Sequence, residues 1–64
     1  AHNLTKREKE VLGLIVKGKT SVQIASILFI SKHTVDSHRK NILRKTNSKS
    51  VSELLFKTIT EGLI

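Results

Sequence analysis

The sequence has no cysteine and no proline, and it holds only three glycines and two phenylalanines in 64 residues. Without cysteine there is neither a disulfide framework nor a thiolate metal site to brace the fold. Two phenylalanines, with no other aromatic residue, are too few to line a single-strand groove with stacking rings. The longest unbroken apolar run, Ile27-Leu28-Phe29-Ile30, falls far short of the roughly 20 residues a membrane span needs. The first residues are polar and lack a signal-peptide layout, so a cytoplasmic location away from membranes is expected. Acidic residues are scarce as well: five against twelve Lys and Arg, for a formal charge of +7.

A chain this short buries only about 60% of the surface its unfolded form exposes, which leaves one core worth about 3–5 kcal/mol. Residues 1–64 are therefore expected to form one domain, with no deep substrate cleft. The basic balance favours a polyanionic partner, nucleic acid first and an anionic membrane surface second. The charge is also uneven. Residues 32–49 hold Lys32, Arg39, Lys40, Arg44, Lys45 and Lys49 against Asp36, a net +5, while residues 50–64 are slightly acidic. A solvated helix face is the plainer alternative, but concentration in one segment argues for a footprint.

Polar breaks at 18–21, near 31 and at 46–50 divide the chain into four helical segments. Thr5-Lys6-Arg7-Glu8, Thr20-Ser21-Val22-Gln23 and Ser50-Val51-Ser52-Glu53 each fit a capping box, and Ser31 fits the cap of a third helix running to about Lys45. Val11, Leu12, Ile15 and Val16 recur at helical spacing, and Gly18 suits a left-handed helix end. Gly13 is a weak point in the first helix. The two phenylalanines are core candidates. The expected fold is all-α, a four-helix bundle.

The 21–40 stretch, SVQIASILFISKHTVDSHRK, predicts a short helix, a tight turn and a second helix crossing it steeply. Ala25 is small where the helices approach, and Ile24, Leu28, Ile30 and Val35 fill the wedge. That is a helix-turn-helix, whose second helix enters the major groove of DNA. Turned at about 100° per residue, residues 32–46 place Val35, Ile42, Thr46 and, marginally, His38 inward. His33, Ser37, Lys40 and Arg44 point outward, with Asp36 and Asn41 flanking them. His33, Asp36, Ser37, Lys40 and Arg44 are the candidate base contacts, since Lys and Arg donate to guanine and Asp accepts from cytosine N4. Phosphate candidates are Thr20 and Ser21 at the second helix start, with Lys32, Thr34, Asn41 and Lys45 on the edges of the third. Simple N-capping is the alternative for Thr20 and Ser21.

The chain resembles the LuxR/FixJ/GerE-type helix-turn-helix domain of bacterial transcription regulators, among them NarL/FixJ-type response regulators. The matching residues are Leu4-Thr5, Arg7-Glu8, Glu10-Val11-Leu12, Leu14-Ile15, Gly18, Ile24-Ala25, Leu28-Phe29-Ile30-Ser31, Thr34-Val35, His38, Asn41-Ile42 and Lys45. The resemblance covers residues 4–64 and implies sequence-specific binding of double-stranded promoter DNA as a homodimer. It implies the third helix in the groove and the fourth at the dimer contact, behind a covalently attached N-terminal receiver or sensor domain. Several positions depart from the pattern. Ser21 stands where Asn is frequent, Val22 where a polar or basic residue is, Asp36 where a base-reading Lys is, and Val51 where Arg is. Thr46 and Ser48 replace an apolar pair, which predicts a looser hinge before the last helix.

That last helix carries more apolar positions (Val51, Leu54, Leu55, Phe56, Ile59, Leu63, Ile64) than one buried stripe needs. Val51, Leu54, Leu55 and Thr58 are the candidate dimer contacts. An enzyme is not expected: Glu8, Glu10, Glu53 and Glu61 look like helix-start and solvent carboxylates, and no nucleophile constellation is legible. His2, His33 and His38 form no metal pair, so neither metal nor cofactor is expected. The competing reading is a basic helical module that docks on another protein through its apolar last helix.

Overall fold

The first turn of a helix leaves amides without partners, and a hydroxyl just ahead of it is the usual remedy. The computed structural model describes residues 3–63, so the expectations for His2 and Ile64 lie outside the described residues. Helix α1 spans Lys6–Val16: the Thr5 hydroxyl accepts from the Glu8 amide at 3.1 Å, and the Glu8 carboxylate accepts from the Thr5 amide at 2.9 Å. Helix α2, Ser21–Leu28, has the same reciprocal pair between Thr20 and Gln23. Helix α3, Lys32–Lys45, starts on the Ser31 hydroxyl, which accepts from the Thr34 amide at 3.0 Å. Helix α4, Val51–Glu61, starts on Ser50, but the third box is only half made. The Glu53 carboxylate turns instead to Lys57, 3.4 Å away.

Helix ends set the turns. Gly18, at φ +84°, closes α1 through bonds from its own amide to Ile15 O and from the Lys19 amide to Leu14 O. Asn47, at φ +53°, closes α3 in the same manner. At the end of α2 the left-handed residue is Phe29, φ +58°, with the Ile30 amide bonded to Ala25 O. A bulky side chain there costs roughly 1–2 kcal/mol of backbone strain. The turn also throws the ring outward, leaving it 94% exposed. Phe56 is 66% exposed on α4. Neither phenylalanine belongs to the core, contrary to expectation.

The core is Val11, Leu12 and Ile15 of α1, Ile24 of α2, Val35 and Ile42 of α3, and Leu54 of α4. Ala25, Leu28 and Ile30 pack against it, as the wedge requires. Helix α3 lies against both α1 and α2, so α2, the turn and α3 form the helix-turn-helix. The described residues hold four helices and no strand.

The connection to α4 is tied down rather than loose. The buried Thr46 hydroxyl donates to Ile42 O at 2.8 Å and pairs with the Ser48 hydroxyl at 2.8 Å. The Lys57 ammonium donates to Thr46 O and Asn47 O at 2.8 and 2.7 Å. Hydroxyls in place of apolar groups bond their own backbone at this turn.

Candidate nucleic-acid interface

Because Val35 and Ile42 are fully buried against α1 and α2, the opposite side of α3 must face outward. His33, Ser37, Lys40 and Arg44 are all exposed, and they follow one row of the helix at i, i+4, i+7 and i+11. Asp36 and Asn41 are half-buried at its flanks. An open groove of about 400 Å³ runs along this edge, lined by His33, Asp36, Ser37, Arg39, Lys40, Leu43 and Val51. Arg39 was not among the expected site residues. At 100° per residue it falls about 40° from Val35, on the inward side, and only the charge count of the segment hints at it.

The phosphate candidates divide. Lys32 donates to Asp36 Oδ2 at 2.9 Å across one helical turn. The hydrogen bond from Lys32, then that from Ser21, holds the Asp36 carboxyl below the ordinary aspartate range, with Arg39 adding its charge. The Thr34 hydroxyl pairs with that of Ser31 at 2.9 Å, and Arg44 donates to Asn41 Oδ1 at 3.3 Å. The Thr20 hydroxyl caps α2. Lys32 thus holds an anion within the protein, at the start of α3.

Lys45 is the clear correction. Its ammonium lies 2.8 Å from Glu8 Oε1, and it also donates to Asn3 O at 3.4 Å. Glu8 is 3% exposed, so it is a buried carboxylate rather than a solvent one. Burial pushes its carboxyl up, but the Lys45 ammonium and the Thr5 groups outweigh this and leave it below the ordinary glutamate value. Desolvating an anion requires a partner, and Lys45 is that partner. Its charge serves the α1–α3 contact.

Two of the four dimer candidates are also corrected. Leu54 is in the core, and Thr58 is buried with its hydroxyl donating to Leu54 O at 2.8 Å. Val51 and Leu55 are half-buried, while the apolar residues left outside are Phe56 and Ile59, the latter 82% exposed. The apolar arc of α4 is wider than its contact, and docking turns the Leu54–Thr58 edge inward. Among the described residues, no helix is long and apolar enough to cross a membrane.

Residues 2–58 match the family described as "Bacterial regulatory proteins, luxR family". The chain is 44% identical to the regulatory protein SdiA of Escherichia coli over 97% of its own length but 26% of SdiA's. It is 43% identical to the oxygen regulatory protein NreC of Staphylococcus carnosus, spanning 28% of that protein. It is also 44% identical to the spore germination protein GerE of Bacillus subtilis, covering 92% of this chain and 80% of GerE. A buried wedge, an outward basic row and a match over almost the whole length agree: the chain belongs to the luxR family of bacterial regulatory proteins, a family of DNA-binding transcription regulators.

Proposed function

We propose that α3 lies in the major groove of double-stranded promoter DNA and reads base edges through His33, Asp36, Ser37, Lys40 and Arg44. The observation that carries this is the exposed row itself, opposite two fully buried anchors on the same helix. A rod so anchored holds its tilt while its outer face meets bases. Thr20, Ser21, Lys32, Thr34 and Asn41 then lie at the groove walls, where hydroxyls, an amide and the α2 amides suit phosphate oxygens. Arg39 joins them from the edge of the groove. The domain binds as a dimer through α4, with Val51, Leu55, Phe56 and Ile59 of two copies facing each other across a two-fold axis. Paired half-sites about one helical turn apart follow from that symmetry.

The coverage of SdiA and NreC supports a role as the DNA-binding part of a longer regulator with a receiver or sensor domain. Bound to bacterial DNA, the protein works in the cytoplasm. The exposed Phe56 and Ile59 are also what favours the second reading, docking on another protein.

A salt titration on duplex DNA separates the two. Four cations of the basic segment remain once Lys45 and the Asp36-paired Lys32 are set aside, so the log–log slope for one copy on arbitrary duplex should be about −3.6. A slope near zero defeats the DNA reading. Selection from a random duplex pool should recover an inverted repeat, and a lone half-site would exclude the dimer.

A further inference from the structure

Asp36 is the one acidic side chain of the 32–49 segment, and its surroundings are cationic. Its Oδ2 lies 2.9 Å from Lys32 Nζ, across one turn of α3. Arg39 adds positive charge from one turn further along α3. Lys32 is also one of the groups proposed for a duplex phosphate. In the free protein its ammonium is held by a carboxylate instead.

This makes backbone binding and the Asp36 contact competitors. A phosphate that takes Lys32 leaves Asp36 without that partner and beside a second anion. A hydrogen donor on the base edge relieves that. In the major groove cytosine presents the N4 amine, whereas guanine N7 and O6 and thymine O4 are acceptors that repel a carboxylate. Adenine offers an amine too, but with the N7 acceptor next to it.

We propose that Asp36 is a lock on the reading edge: it holds Lys32 in the free protein and yields it to a backbone phosphate when a cytosine amine takes up its carboxylate. Resting on the major-groove placement of α3, it makes Asp36 a specificity-determining residue in two ways. It suppresses binding to arbitrary sequence by occupying a phosphate-binding group, and it selects one base. Both follow from a carboxylate set among cations.

Selection from a random duplex pool and salt titration on one fixed random duplex test the lock with four proteins. The wild type should recover a motif with cytosine at one position per half-site. Asp36→Ala should lose preference there alone and bind the random duplex about two- to fivefold tighter. Its salt slope should steepen by about one, because Lys32 becomes available to a phosphate. Asp36→Asn should shift the preferred base to adenine, whose N6 and N7 match an amide. Adding Lys32→Ala to Asp36→Ala should abolish the steeper slope. The pair is on the surface, so these variants should keep the wild-type helical circular dichroism. If Asp36→Ala keeps the cytosine preference, or loses it without tighter binding to random duplex, the lock is overturned. If the wild type shows no salt-dependent duplex binding, it is the placement of α3 in the groove that fails.

Discussion

Lys40 and Lys45 sit five residues apart on α3 and end in opposite settings. Lys40 is exposed in the middle of the outward row, on the rim of the open groove. Lys45 is largely covered, its ammonium 2.8 Å from the buried Glu8 carboxylate on α1. The side chains are chemically the same, so the difference is made by the neighbour. Glu8 is fixed in advance by the Thr5 amide and waits as a desolvated anion where the last turn of α3 passes. A segment charge of +5 therefore overstates what α3 offers to a polyanion: the middle of the helix faces outward with its charge, and the end uses its charge to hold α1.

The contrast is broken most severely from the buried side. Ile42→Ala removes a fully buried anchor between the two lysines and should cost about 2–5 kcal/mol in urea unfolding. That equals the whole stability of a domain this small, so the variant should be largely unfolded and bind no duplex. An unfolding midpoint close to wild type would mean that α3 is not held through this face.

Lys45→Ala and Glu8→Gln come next, at about 1–3 kcal/mol each, because either leaves a charged or polar partner unmatched in a covered site. Their effects should not add, since both remove the same contact. Lys45→Ala should then weaken DNA binding only as far as it unfolds the protein, not as the loss of a phosphate contact. The pH dependence has a definite sign. The Glu8 carboxyl is lower in the folded protein than its ordinary value of 4.5, so the unfolded chain takes up its proton first. This stabilisation is complete above that value and is lost as pH falls through the folded-state value. Glu8→Gln should flatten the acid side of the stability profile, and an unchanged profile would show that the clasp does not couple to folding.

Lys40→Ala should do the reverse of Lys45→Ala. Stability should stay within about 0.5 kcal/mol, as for exposed substitutions elsewhere. Affinity for the selected duplex should fall by about 1–3 kcal/mol, with preference relaxed at one base position. Equal losses on selected and random DNA would place Lys40 on the backbone instead.

Helix starts were legible because caps are local chemistry: Thr5, Thr20, Ser31 and Ser50 all sit where the sequence puts them, and α3 spans Lys32–Lys45. The outward row was legible for a similar reason, since one helical period orders it around Val35 and Ile42. What escaped depends on contacts between distant segments. Nothing near Lys45 in sequence announces Glu8, 37 residues away. Periodicity does not choose which edge of the broad apolar arc on α4 docks, and the edge that turns inward is that of Leu54 and Thr58. Phe29 escaped because the helical period stops at a left-handed residue, and the chain direction changes just where the ring leaves it.

The smallest expected effect sharpens the Lys40–Lys45 contrast most cleanly. Gly13 lies inside α1, and a Cβ added there would meet nothing within 4 Å. No close approach requires the glycine, and its φ is ordinary, unlike Gly18 at +84°. Gly13→Ala should therefore stabilise the protein by about 0.5–1 kcal/mol through the unfolded chain and helix propensity alone. Gly13 is five residues from Glu8, roughly 7.5 Å along the helix, far enough for the two effects to add. In this background Lys45→Ala recovers part of its lost stability without any change at the reading edge. If Lys45 acts only through the clasp, its DNA affinity should recover with the folded fraction. Lys40→Ala, already folded, should gain nothing from the same background. A Lys45→Ala protein that is refolded by Gly13→Ala yet still weak on every duplex would return Lys45 to the phosphates and erase the distinction between the two lysines.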